Sequence, residues 1–329
     1  MPLTLYYDQD TDPGLIRARR VAVLGFGAQG RAQALNLKDS GVAVTVGLRA
    51  GSTSRAAAEA AGLPVQAPDS AVARADLVVM LVPDAVQAQA YADWVAPKLA
   101  QGAALMFAHG FNIHYRRIVP RADLDVVMVS PNGIGEQLRT QYLAGHGVPG
   151  LVAVHQDVSG SARALAFSYA WAQGHGRAGI VESTFREETE TDLFAEQAVL
   201  CGGLTHLIEA GFDTLTNAGY APEIAYFCCL HEVKLIADMV YQRGIAGMRE
   251  SISATAEFGD YTRGPRVIGA EPRAAMQAVL GEIQRGEFAA ELEREIAAGS
   301  PTIRAGRASA RAALIENVGS MLRARMKRD

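Results

Sequence analysis

Asp192 and Glu196 stand four residues apart in the stretch 187–203, EETETDLFAEQAVLCGG. The apolar residues around them, Leu193, Phe194, Ala198, Val199 and Leu200, recur at helical spacing, so both carboxylates should share one helix face. A second apolar helix is expected over 221–243, with Pro222 in its first turn and Gly244 at its end. It carries Glu232 among Leu230, Val233 and Leu235, a poor setting for a solvated carboxylate. Acids gathered in a packed seam without a counter-charge are costly, and a hard divalent cation held by oxygen ligands would relieve that cost. The same pattern also suits acids that cap helices or pair with Arg and Lys on a wet face.

A second chemistry is written upstream. Residues 19–41, RRVAVLGFGAQGRAQALNLKDSG, pass from a β-branched run through Gly25-Phe26-Gly27-Ala28-Gln29-Gly30 into an alanine-rich helix. Strand, glycine turn and helix in that order are the context of a dinucleotide site. Gly25 permits the turn, Gly27 admits a pyrophosphate to the backbone, and Gly30 lets helix and strand pack closely. The phosphates would sit at the helix N-terminus. At the end of the next strand, where an acid would hold ribose hydroxyls, the chain has Gly47, Leu48 and Arg49, then Ser52, Thr53 and Ser54. A guanidinium and hydroxyls without a carboxylate favour a 2′-phosphate, hence NADPH.

These residues need a scaffold. Further apolar strands are expected from Asp76, Ala103, Asp125 and Leu151, ending near Asp84, at His109, at Pro131 and at His155. Ligands of an open parallel sheet bind outside the C-terminal ends of its strands, which places His109 and the 131–135 loop where chemistry occurs. From about residue 184 the strands stop, and helices are expected near 188–210, 213–218, 221–243, 245–257, 271–285 and 287–297. The fold class is therefore α/β: a Rossmann-type doubly wound parallel sheet over 1–182, followed by an all-α helical domain over 183–329.

Composition excludes several classes. With 329 residues, 49% apolar, 20% charged and a formal charge of -4, the chain reads as an ordinary globular protein. The one basic run is the tail from Arg323, so neither nucleic acid nor an acidic membrane is the expected partner. Cys201, Cys228 and Cys229 cannot all pair, and no leader or spanning segment is read, which suits a soluble cytoplasmic protein. Helices apolar on more than one face imply a dimer or larger assembly.

The segments GFGAQGRAQALNLKDSG, VGLRAGSTS, AHGFNIH, TFREETETDLFAEQAVLCGGLTHLIEAGF, AGYAPEIAYFCCLHEVKLI and SISATAEFGDYTRGPR together resemble short-form ketol-acid reductoisomerase, over about residues 6–297. The resemblance implies NADPH- and Mg²⁺-dependent alkyl migration in a 2-hydroxy-2-alkyl-3-oxo acid, then hydride reduction to a 2,3-dihydroxy acid. It implies cofactor contacts at 26–29, Arg49, Ser52, Ser54, Asp84 to Gln87 and Gly135, and a catalytic role for His109. It assigns Asp192 as a bridge between two Mg²⁺ ions, Glu196 to one ion, Glu232 to the other and Ser253 to the substrate carboxylate. The active site would be shared across a homodimer of interlocked helical domains.

This chain departs from that pattern at two chemical positions. Cys228 stands where the family has the first of two glutamates, and a thiol is a soft ligand poorly suited to Mg²⁺. Asn132 stands where the family has a lysine, followed by Gly133, Ile134, Gly135 and Glu136. Alkyl migration needs both substrate oxygens polarised at once, whereas reduction needs one polarised carbonyl, a hydride and a proton. The reductase half is thus expected to be the better preserved. The alternatives are a diverged member acting on a different 2-oxo or 2-hydroxy acid, and a non-catalytic NADPH-binding protein.

Overall fold

The computed structural model describes residues 3–326; the end of the basic tail, 327–329, lies outside the described residues. The chain divides into two compact units between Thr191 and Asp192.

The first unit is built on nine strands: β1 (Leu5–Tyr6), β2 (Arg20–Leu24), β3 (Ala43–Gly47), β4 (Val65–Gln66), β5 (Leu77–Met80), β6 (Ala104–Phe107), β7 (Asp125–Pro131), β8 (Gly150–Gln156) and β9 (Ile180–Glu182). They form one sheet in the order β1-β9-β8-β7-β6-β5-β2-β3-β4. All four residues of β5 and of β6 are buried. Helices cover both faces, so these central strands read as continuous apolar runs rather than alternating ones. One core layer gathers Val21, Val23, Leu37, Val46 and Tyr169, the other Leu24, Val78, Met80, Leu105 and Phe107.

The sheet is parallel through β4-β3-β2-β5-β6-β7, as expected of a doubly wound fold, and two pairings depart from that: β7 with β8, and β1 with β9, are antiparallel. After β7 the helix Gly135–Leu143 does not cross the sheet. It puts Leu138 against Ala32 of the dinucleotide helix and Val148, so the chain returns from the end at which it left. The short strands β1, β4 and β9 were not expected, since two or three residues carry no measurable period.

In the second unit the helices are Gly202–Asn217, Pro222–Tyr226, Glu232–Arg249, Ala254–Val267, Ala270–Gln284, Glu287–Ala297, Pro301–Ala312 and Leu314–Arg325. The break expected between 210 and 213 is absent, because fully buried Phe212 anchors one continuous helix there. The expected stop at Gly244 is a kink with φ 71° and ψ 171° inside a helix that runs to Arg249. The last two helices were not anticipated; the final one carries Ile315 and Val318 into a core with Phe212, Ala225 and Tyr226. Val199, Leu200, Leu207, Leu235, Ile236 and Tyr241 are exposed, so this unit leaves apolar helix faces uncovered. No described helix is long and apolar enough to cross a membrane.

One core residue sets a pH dependence. His175 is fully buried, its Nδ1–H donates to Val148 O at 2.8 Å, and its Nε2 has no hydrogen-bond partner among the described residues. Burial pushes its pKa down from 6.5 to about 4. The unfolded chain therefore takes up this proton first, and stability is complete above pH 6.5 and lost as pH falls toward 4. Each pH unit in that window removes about 1.4 kcal/mol. In urea unfolding at pH 7 and pH 5, His175→Asn, which keeps a donor for Val148, should abolish about 2 kcal/mol of the wild-type difference; an unchanged difference rejects this assignment.

Candidate active site

In the strand order, β2 has β3 on one side and β5 on the other, so the loops leaving β2 and β5 part company here. That is the switch point at which open α/β sheets bind ligands. Gly25 sits at it with φ +102°, and an added Cβ would lie 2.5 Å from Leu81 O, the residue just beyond β5. A Cβ on Gly30 would lie 2.4 Å from Gly25 O, so the helix Ala28–Asp39 starts directly over the turn. No side chain caps that helix at Gly27, and nothing lies within 4 Å of a Cβ built on Gly27. This open cradle beside an uncapped helix N-terminus fits a dinucleotide pyrophosphate. The Phe26 side chain is buried in the core, which leaves only its backbone to a ligand. Beyond β3, Arg49 is exposed and Ser52 and Ser54 are half-buried. The next acid along the chain, Glu59, pairs with Arg55 at 3.3 Å.

His109 lies two residues beyond β6, and the structure joins it to a residue the sequence reading passed over. Glu188, on the helix Phe185–Ala195, is 2% exposed. Its carboxylate accepts from His109 Nδ1 at 2.9 Å, from Gly110 N at 2.8 Å and from Ser130 Oγ at 2.8 Å. Three donors offset the desolvation that a buried carboxylate would otherwise suffer. Gly110 is needed for this approach, since a Cβ there would meet Thr189 Oγ1 at 2.4 Å and Phe185 O at 2.6 Å. The same helix runs on through the division between the units, and Asp192 follows Glu188 by one turn. The ligand atoms of His109, Glu188 and Asp192 lie within 4.8 Å of one another, close enough to hold a cation. Glu188 had a signal in the sequence: Glu188, Asp192 and Glu196 are spaced by four.

Beyond β5, Gln87 Nε2 donates to Val82 O at 3.0 Å and Asp84 Oδ1 at 3.1 Å, while Asn112 Nδ2 donates to Gln87 Oε1 and to Asp84 O, both at 3.1 Å. Gln87 is buried with its amide committed to these partners, so it braces the loop from inside rather than offering itself to a ligand. Burial raises the Asp84 carboxyl pKa, nearby His109 lowers it and Glu188 raises it further. Asp84 thus shares the electrostatic field of the His109 and Glu188 pair.

The remaining acids are less converged. Asp192, Glu196 and Glu232 are all exposed, and Glu196 and Glu232 do not join the cation cluster among the described residues. The expectation that Glu232 avoids solvent does not hold within the chain, because its neighbours Leu235 and Ile236 are themselves uncovered. Cys228, one turn before Glu232, is also exposed and sits in a turn of π-helix, Phe227–His231. Asp192 and Glu196 offer hard oxygens that suit Mg²⁺, whereas Cys228 offers sulfur. Ser253 caps the helix Ala254–Val267, its hydroxyl accepting from Ala256 N at 3.2 Å. Asn132 is exposed at the end of β7, with its backbone N–H donating to Pro149 O at 2.9 Å, and Glu136 is exposed in the next turn. The backbone of Gly135 lies against Ala28, at the foot of the dinucleotide helix.

Comparison with known proteins covers nearly the whole chain. Residues 15–179 match the family model for the acetohydroxy acid isomeroreductase NADPH-binding domain, and residues 185–328 match that for the ketol-acid reductoisomerase C-terminal domain. Among solved structures, an NADH-preferring ketol-acid reductoisomerase from an uncultured archean is 44% identical, with a TM-score of 0.96 over 99% of this chain and 100% of that one. A semialdehyde dehydrogenase NAD-binding protein from Cupriavidus necator (18% identity, TM-score 0.63, 81% of this chain and 99% of that one) shares the fold. So does a putative oxidoreductase from Jannaschia sp. (17% identity, TM-score 0.60, 81% and 97%). With both units matched, this chain belongs to the ketol-acid reductoisomerase family and is an NAD(P)H-dependent oxidoreductase.

Proposed function

We propose that this enzyme uses NADPH to reduce a small 2-oxo acid, assisted by Mg²⁺ on Asp192 and Glu196, and that its alkyl-migration step is the weaker half of the reaction. The observation that carries this reading is the convergence of His109, Glu188 and Asp192 beyond the same strand ends as the open glycine turn. When bound, the dinucleotide supplies the hydride and the cation polarises the substrate oxygen. The Glu188 carboxylate accepts the Nδ1 proton of His109, which fixes the tautomer whose Nε2 exchanges a proton with the substrate oxygen. Ser253, at a helix N-terminus, suits the substrate carboxylate, and the backbone of 25–30 and of Gly135 suits the cofactor.

Arg49, Ser52 and Ser54, with no competing acid at the end of β3, support NADPH over NADH. The solved relative is NADH-preferring, so the NADPH reading rests on the residues of this loop. The exposed apolar helix faces support a homodimer of interlocked helical domains, in which Glu232 would contribute to a metal position. Three free cysteines suit a reducing cytoplasm. Cys228 and Asn132 favour one further reading, a diverged family member acting on a different 2-oxo or 2-hydroxy acid. Sulfur for oxygen at one cation position and an uncharged amide for a lysine weaken the simultaneous polarisation that migration needs, and a loss of several kcal/mol there is several orders of magnitude in rate.

Oxidation of NADPH with a preformed 3-hydroxy-2-oxo acid should therefore exceed that with 2-acetolactate by at least about tenfold; equal rates would sink the division between the two halves. Replacing Arg49 with Ala should lower the NADPH-to-NADH ratio of kcat/KM by about 10- to 100-fold, the worth of a charge-assisted contact, and an unaltered ratio would show that Arg49 does not meet the 2′-phosphate. In calorimetric titration, Cys228→Glu should tighten Mg²⁺ binding by about tenfold or more; unchanged affinity counts against a metal position there. Glu188→Gln, which removes the negative charge facing His109 and turns one of the two acceptor oxygens into a donor, should cut turnover by about 100-fold. Wild-type turnover in this variant would exclude His109 as the proton carrier.

A further inference from the structure

We infer that Gln33 and Tyr169, both inside the core, set the position of the 132–135 loop against the dinucleotide turn and thereby tune how tightly the reduced cofactor is held. This rests on the reading that a nicotinamide dinucleotide occupies the glycine turn. Tyr169, on the helix Ala162–Ala172, is fully buried, and Gln33, on the dinucleotide helix, is 1% exposed. The Tyr169 hydroxyl donates to Gln33 Oε1 at 2.7 Å, Gln33 Nε2 donates to Gln29 Oε1 at 3.1 Å, and Gln29 Nε2 donates to Gly133 O at 3.0 Å.

The direction of this relay is fixed from its outer end. A backbone carbonyl only accepts, so Gln29 must turn its NH₂ toward Gly133 and its oxygen toward Gln33. Gln33 must then present NH₂ to Gln29 and oxygen to Tyr169, which leaves the hydroxyl proton as the final donor. Reversing either amide would set two donors or two acceptors face to face in the interior, where a mismatch is expensive. Burial holds the Tyr169 hydroxyl pKa above its ordinary range, so it remains a donor. Gln173 Nε2 donates to Gln33 O at 3.2 Å, so the backbone of Gln33 is pinned as well as its side chain.

What the relay holds is a loop lying on the cofactor's own helix. A Cβ on Gly135 would fall 2.4 Å from Ala28 O, so a shift of a few tenths of an ångström at Gly133 is felt at the first turn, 28–30. Gln33 and Tyr169 touch neither substrate nor dinucleotide in this arrangement. They are positioning residues that act through Gln29.

The test is dinucleotide affinity by fluorescence titration with NADPH on the full-length protein, together with KM for the oxo acid. Tyr169→Phe, which keeps the core volume, should weaken NADPH binding about three- to tenfold, and Gln33→Met about tenfold or more, as expected for one and two lost hydrogen bonds. KM for the oxo acid should stay within about twofold, a split that general loosening of the core would not give. The decisive measurement is a double-mutant cycle of Tyr169→Phe with Gln29→Met. These residues are not hydrogen-bonded to each other, so independent effects would multiply, whereas a relay makes the double variant no weaker than Gln29→Met alone. Multiplying effects, or NADPH affinity unchanged in both single variants, overturns the proposal. Should the wild type bind no dinucleotide at all, the cofactor reading itself fails, an outcome distinct from variants that bind as well as the wild type. The Tyr169 and Gln29 cycle decides the matter even where Gln33→Met does not fold.

Discussion

One buried carboxylate ties the chemistry to the scaffold. Glu188 leaves its helix to accept hydrogen bonds from the ends of two adjacent parallel strands, through Ser130 beyond the middle of β7 and through His109 and Gly110 beyond β6. A carboxylate so buried is tolerable only with its donors in place, and losing one would leave a desolvated charge. The turn of helix that carries Glu188 is therefore held against the strand ends. The absence of a side chain at Gly110 lets helix and loop approach closely enough for those bonds to form.

A division of labour follows between the two units. The first is a close-packed sheet whose central strands are buried on both faces, and it fixes the glycine turn, the β5 loop and His109 to within a hydrogen bond of their partners. The second unit has a smaller buried core around Phe212 and Tyr226 and leaves much apolar helix surface uncovered. Buried apolar area is the principal source of stability, so a helical unit with exposed Leu235, Ile236 and Tyr241 is suited to gaining more by association.

The two departures on which the proposed balance of the reaction rests lie on a retained frame. The glycine turn, the Asp84 loop braced by Gln87 and Asn112, and the Glu188 clamp depend on backbone and buried amide contacts that no departure disturbs. Cys228 and Asn132 are both exposed residues, and substitutions there cost little packing. Reactivity can thus drift at these positions while the fold stays intact.

The sequence alone determined what depends on neighbours in the chain. The six longer strands, the glycine turn, the shift to helices after β9 and the candidate acids were legible because period, turn chemistry and short motifs are local signals. The tertiary structure decided what depends on residues far apart in sequence: the antiparallel pairings of β7–β8 and β1–β9, the continuity of the helix through Phe212, the engagement of Gln87 inside its loop, and the partnership of Glu188 with His109, 79 residues away. A hydrogen bond between distant residues leaves no period behind it. It exists because strand order brings two loop ends together, and that order is fixed by the packing of the whole sheet.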